Sequence, residues 1–99
     1  MPKRKSPLSD WERVEKATQI LKTVAHPLRL RIVDLLSGGE RTVGDIQNTL
    51  GVSQSLTSQQ LSLMKSRGVL KSRRAGKLTY YSIERHEVVQ VLHCLRKCS

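Results

Sequence analysis

The chain is poor in aromatic residues and cysteine, and each shortage excludes a class of protein. Its 99 residues, enough for one domain, include one Trp, two Tyr and no Phe, so a base-stacking surface for single-stranded nucleic acid is hard to build. Two cysteines are too few for a disulfide scaffold. No apolar run approaches the roughly 20 residues of a membrane helix. We therefore expect one soluble cytoplasmic protein with reduced thiols and no membrane association.

Acidic residues are also scarce, and the basic excess is concentrated in the second half of the chain. Eighteen Lys and Arg against eight Asp and Glu give a formal net charge of +10. Residues 46–83 contain no Asp or Glu. Their cations cluster at Lys65, Arg67, Lys71, Arg73, Arg74 and Lys77. This distribution indicates a polyanionic partner, and a merely solvated basic face is the alternative interpretation.

The N-terminal segment is basic over residues 1–5, as at the head of a signal peptide, but polar and acidic residues follow in place of an apolar stretch. We expect no export signal. We also expect a disordered tail over residues 1–9 and a single domain over residues 10–99.

Apolar residues at intervals of three and four predict five helices. The predicted helices occupy residues 11–25, 27–37, 43–50, 54–67 and the chain from 84 onward. Side chains of the capping type precede three of them, at His26, Thr42 and Ser53. Asp45, three residues after Thr42, would complete a capping box.

The fourth predicted helix has an apolar side and an uncharged polar side. At 100° per residue, the core side holds Leu56, Leu61, Leu63 and Met64, joined by Thr57 and Gln60. The opposite side carries only amides and hydroxyls, at Gln54, Ser55, Ser58, Gln59 and Ser62. An ordinary exposed helix face would be rich in Glu and Lys, so this face is typical of a binding surface.

Two short strands, at residues 69–73 and 78–83, follow this helix and are joined by a basic turn at 74–77. Tyr81, in step with Ile83, is expected in the core, and Tyr80 is expected outside. Two short helices followed by a basic hairpin predict a winged helix-turn-helix, a mainly α fold with five helices and a two-stranded wing.

This arrangement predicts binding to double-stranded DNA. The fourth helix would read bases in the major groove, and the hairpin would hold the phosphate backbone or enter the minor groove. The predicted helix contacts are Ser53, Gln54, Ser55, Ser58, Gln59, Ser62 and Lys65. The predicted wing contacts are Arg73, Arg74, Lys77 and Tyr80.

Several stretches of the chain resemble the ArsR/SmtB winged-helix repressors of bacteria and archaea. They are AHPLRLRI at 25–32, VGDI at 43–46, GVSQSLTSQQL at 51–61, RGVL at 67–70 and YYSI at 80–83. The resemblance implies a homodimer formed by the first and last helices, an inverted-repeat operator and repression by occlusion. The interface candidates are Trp11, Val14, Leu21, Val91, Leu92 and Leu95. The alternative is that these side chains fill the core of their own subunit.

Relatives of this kind commonly release DNA when a metal or an oxidant binds, and most of the positions involved differ here. Thr42 and Gly44 stand where a Cys-x-Cys pair would be, and Asp34 stands near the place of a sulfur-sensing cysteine. Cys94 and Cys98, one helical turn apart, are candidates for a soft-metal or thiol sensor, and ordinary packing is the alternative. We expect no resident metal, no cofactor and no small-molecule substrate, and the inducer stays open.

Two further classes account for less of the sequence. An enzyme is not expected, because the three histidines are not grouped with a nucleophile and an acid, and no phosphate-binding glycine loop is present. A winged helix used for protein interaction or RNA binding is a second interpretation. The uncharged polar helix face and the scarcity of aromatic residues argue against it. The leading prediction is a sequence-specific transcriptional repressor.

Overall fold

The structure is a computed structural model that describes residues 11–98, without the side chains of Arg13, Val91 and residues 94–98. Predictions for the tail at 1–9, and for the side chains of Val91, Cys94, Leu95 and Cys98, lie outside this part. The elements are α1 (Trp11–Val24), α2 (Pro27–Leu36), β1 (Arg41–Thr42), α3 (Val43–Leu50), α4 (Gln54–Ser66), β2 (Leu70–Ala75), β3 (Leu78–Ile83) and α5 (Glu87–Cys98). Within residues 11–98, no helix is both long and apolar enough to cross a membrane.

Three helices begin at the capping residues that the sequence predicts. His26, Thr42 and Ser53 each accept a hydrogen bond from a backbone N–H in the first turn of the following helix, at 3.1–3.2 Å, which satisfies a donor that the helix itself cannot pair. The expected capping box at α3 is only half formed. The carboxylate of Asp45 accepts a hydrogen bond from Arg41 Nη1 at 3.1 Å in place of the Thr42 backbone.

The sheet has three antiparallel strands, in the order β1-β3-β2, where the sequence predicts two. The additional strand β1 has only two residues, which lie opposite Tyr81 and Tyr80. Two residues are too few to show an alternating pattern, so their strand character comes from pairing with a distant segment. The wing turn is also shorter than predicted, because β2 continues to Ala75 and only Gly76 and Lys77 connect the strands.

The core lies where α2, α3 and α4 meet the sheet. Its fully buried apolar side chains are Ile32, Val33, Ile46, Leu61, Met64 and Val69. Tyr81 and Ile83 on β3 are buried, as predicted, whereas Tyr80, which was expected outside, is half-buried. Leu56 was predicted on the core side of α4 but is 37% exposed. It precedes the buried Thr57 and therefore points about 100° around the helix from it, at the edge of the core-facing arc.

Candidate nucleic-acid interface

A tight turn between α3 and α4 sets the direction of the polar helix. Gly51 ends α3 with φ 69°, in the left-handed region that other residues rarely adopt, and its N–H donates to Gln47 O at 2.9 Å. Ser53 starts α4 two residues later. The apolar side of α4, through Leu61 and Met64, is anchored in the core, so its opposite side faces solvent.

The solvent side of α4 is the uncharged surface that the sequence predicts. Five exposed side chains lie together on one open surface of the helix: Gln54, Ser55, Ser58, Gln59 and Ser62. None of these five amides and hydroxyls has a side-chain hydrogen bond within residues 11–98, whereas the hydroxyl of Ser53 is engaged as the helix cap. A row of hydrogen-bonding groups without partners is suited to recognise a surface rich in donors and acceptors.

The surroundings of this polar surface are positively charged. Lys65, in the last turn of α4, donates from Nζ to Ser72 Oγ on β2 at 2.8 Å and so connects the helix to the wing. Arg67, Arg74 and Lys77 are exposed and have no side-chain hydrogen bond or ion pair in the described part of the chain. These three cations are available to an anionic partner.

Arg73 is placed differently from the other cations of the wing. Its Nε donates to Glu40 Oε2 at 3.0 Å, its Nη2 donates to Glu40 Oε1, and its guanidinium carbon lies 4.5 Å from the centre of the Tyr80 ring. The hydrogen bond from Arg73 lowers the pKa of the Glu40 carboxyl below its usual value, and Lys71 lowers it further. The sequence predicts Arg73 and Tyr80 as DNA contacts and assigns no role to Glu40, which lies 33 residues away from Arg73.

Arg29, which the sequence analysis did not single out, contacts α4 on the core side of that helix. Arg29 on α2 donates from Nε to Gln60 Oε1 at 2.7 Å and from Nη1 to Thr23 O at 3.1 Å. The helix α4 is thereby connected to α2 and to the end of α1. A signal existed in the sequence, because an amide on the core side of a helix requires a hydrogen-bonding partner.

The predicted dimer residues fall into two groups. Trp11 is 71% exposed and Leu21 is 48% exposed on α1, with Val14 half-buried between them, so the alternative that Trp11 and Leu21 fill their own core is wrong. Leu92 on α5 packs partly buried against the core of its own chain. The interface itself stays a prediction.

Among the described residues, no three His, Cys, Asp or Glu side chains come together as a metal site requires. Cys94 and Cys98 lie on α5, but their side chains lie outside the described part. The sensor role suggested for this cysteine pair therefore stays a prediction.

Comparison with known proteins identifies relatives of the whole arrangement. A family model described as bacterial regulatory protein, arsR family, matches residues 26–72, from the cap of α2 to the wing. The biofilm growth-associated repressor of Xylella fastidiosa is 32% identical over 84 residues, which cover 85% of this chain and 74% of that protein.

Solved structures agree with this match. The crystal structure of the transcriptional repressor BigR from Xylella fastidiosa superposes with a TM-score of 0.84 at 29% identity, covering 95% of this chain and 96% of that one. A homodimeric winged helix-turn-helix DNA-binding domain from Mycobacterium bovis gives a TM-score of 0.77 at 28% identity, covering 99% and 89%. The protein thus has the winged helix-turn-helix fold and belongs to the ArsR family of bacterial regulatory proteins.

Proposed function

We propose that the protein is a homodimeric transcriptional repressor that binds an inverted-repeat DNA operator. The observation that carries this proposal is the uncharged face of α4, whose side chains have no partner in the described part of the chain, beside the unpaired cations Arg67, Arg74 and Lys77. Such a function takes place in the cytoplasm and needs neither catalysis nor a small-molecule substrate.

The helix α4 supplies the choice of sequence in this proposal. A Gln amide pairs well with N6 and N7 of adenine, and a Ser hydroxyl donates to or accepts from several base edges in the major groove. Residues 46–83 contain no acidic residue, so no carboxylate of this segment repels the phosphates beside the groove.

The wing supplies affinity that does not depend on sequence. Arg74 and Lys77 are exposed at the end of the hairpin and pair there with backbone phosphates, releasing condensed counterions. Phosphate contacts fix the register of the protein on the duplex, so that the side chains of α4 meet a defined set of bases.

Dimerisation explains the exposed apolar side chains of α1. Covering Trp11 and Leu21 with a second subunit would remove their apolar surface from water, which is favourable. A related winged helix-turn-helix domain from Mycobacterium bovis is homodimeric. The proposed interface comprises Trp11, Val14 and Leu21 on α1 and Val91, Leu92 and Leu95 on α5. A two-fold dimer places its recognition helices about 34–36 Å apart, one helical turn of DNA, or at a multiple of it.

Binding to three probes tests the proposal. We expect the protein to bind duplex from the promoter region of its own gene more tightly than a shuffled duplex of equal length, and more tightly than the corresponding single strand. Electrophoretic mobility shifts at fixed salt measure the three affinities. Equal binding to all three probes, disappearing together as salt rises, would indicate a non-specific role and contradict the proposal.

Removing the two free cations of the wing should weaken binding to every duplex alike. The double substitution Arg74→Ala and Lys77→Ala removes two side chains that bind phosphate, so the negative slope of log K against log salt should become shallower by about 0.9 for each of them. Titrations at four salt concentrations measure it. The matched control, Lys16→Ala with Lys22→Ala, takes the same charge from α1 and should leave the slope unchanged. An unaltered slope in the wing variant would remove the hairpin from the interface.

A further inference from the structure

The ion pair between Arg73 and Glu40 spans the width of the sheet. Arg73 lies on the edge strand β2, directly opposite Tyr80 of the central strand β3, while Glu40 immediately precedes the other edge strand, β1. Neighbouring strands lie about 4.8 Å apart, so the side chains of Arg73 and Glu40 together bridge about 10 Å over the Tyr80 ring. One ion pair thereby joins the two edges of the sheet.

Arg73 also points away from the side of the wing that faces α4. Successive residues of a strand point to opposite faces, so Ser72 and Arg74 share one face and Arg73 occupies the other. Ser72 accepts the hydrogen bond from Lys65 of α4, which marks its face as the α4 side. Arg74 therefore extends on the same side as the recognition helix, and Arg73 extends on the opposite side.

The ion pair lies at the root of the wing. β1 pairs with β3 only at Tyr81 and Tyr80, and beyond Tyr80 the hairpin continues as two strands whose residues 73–78 are all exposed. A two-stranded ribbon twists more than a wider sheet and is marginally stable by itself. The interactions at the last position where all three strands pair, beside Tyr80, therefore set the angle of the free hairpin.

We propose that Glu40, Arg73 and Tyr80 form a wing latch, in which Arg73 is a positioning residue that fixes the angle of the hairpin relative to α4 and is not a phosphate ligand. The guanidinium donates from Nε and Nη2 to the two oxygens of one carboxylate and lies over an aromatic ring, the geometry that favours Arg over Lys. A phosphate at Arg73 would have to displace these interactions. The latch rests on the proposed function, because it matters only if the wing meets DNA.

The substitution Glu40→Gln tests the latch, because the latch and simple electrostatics predict opposite changes in DNA affinity. It removes a negative charge from a protein that binds a polyanion, so simple electrostatics expects tighter binding. The latch expects binding weaker by about two- to tenfold, the range that exposed ion pairs and cation–π contacts support. The probe is a 30-base-pair duplex enriched by the wild-type protein from a random pool. The control Glu84→Gln removes the same charge from an exposed position beyond the root of the hairpin, and should not weaken binding.

Arg73→Gln and the double variant complete the test. If Arg73 is a positioning residue, Arg73→Gln should weaken DNA binding without changing the salt slope. The double variant with Glu40→Gln should bind DNA no more weakly than either single variant, because the pair acts as a unit. The Nε–H resonance of Arg73 in the free protein should be slow to exchange in the wild type and absent in Glu40→Gln. This resonance reports the latch without DNA.

The outcomes separate the latch from the function on which it rests. If the wild type prefers its enriched duplex but Glu40→Gln binds as tightly or more tightly, the latch is wrong and the repressor proposal stands. A salt slope that becomes shallower by about one in Arg73→Gln makes Arg73 a phosphate-binding residue and also overturns the latch. If the wild type shows no preference for any duplex, the proposed function fails, and the role assigned to the latch fails with it.

Discussion

Alanine at Gln54, Ser58 and Gln59 together is expected to abolish the preference for the operator while leaving non-specific duplex binding intact. Removing the hydrogen bonds to one base costs about 1–3 kcal/mol of discrimination, which is about five- to 150-fold in the ratio of two dissociation constants. The three side chains are exposed and have no hydrogen-bonding partner in the described chain, so their removal leaves no buried group unsatisfied.

The measurement is the ratio of affinities for the enriched duplex and a shuffled duplex at one salt concentration. The salt slope should not change, because in the proposed complex the deleted groups meet bases and not phosphates. Gln90→Ala on α5 removes an exposed amide outside α4 and serves as the control for a general effect of removing glutamine. An operator preference that survives the triple substitution would contradict the assignment of this face.

Leu61→Ala is expected to produce a large loss of stability, about 2–5 kcal/mol, because the removed atoms leave a cavity in a packed core. Leu61 is fully buried (0% exposed) on the core side of α4. The loss is a substantial part of the roughly 5–15 kcal/mol that stabilises an ordinary domain. Urea unfolding followed by circular dichroism measures it, at one protein concentration, since association adds to apparent stability.

Leu56 offers a matched control on the same helix. Its side chain is 37% exposed and takes no part in the core cluster, so Leu56→Ala should lower the free energy of unfolding by clearly less than Leu61→Ala. Equal losses from the two substitutions would mean that the apolar side of α4 is not oriented as described.

The features that the sequence predicted are those encoded over a few neighbouring residues. The caps at His26, Thr42 and Ser53 depend on a side chain and a backbone N–H two or three residues apart. The polar face of α4 follows from helical periodicity alone, and its five residues lie on one surface as the periodicity requires. The fold class and the family resemblance rest on the same local motifs in a fixed order, and both are confirmed.

The features that the sequence could not predict depend on residues brought together from a distance. β1 is a strand only because residues 80 and 81 lie beside it. Arg73 counts as one more wing cation until Glu40, 33 positions earlier, is placed next to it. The prediction that Leu56 lies on the core side was wrong for a different reason. An angle on a helical wheel does not show where the neighbouring elements stop covering the helix.

The hydrogen bond between Lys65 and Ser72 ties the end of α4 to the strand that leads into the wing. Under the proposed function, this contact helps the wing latch to keep the hairpin in a set position relative to α4, so the subunit fixes the distance from the bases beneath α4 to the phosphates beneath the wing. Base pairs are stacked about 3.4 Å apart, so inserting one pair between those two points would pull the wing off its phosphates. Under the proposed function, natural operators should differ from one another by base substitutions but tolerate no insertion or deletion within a half-site.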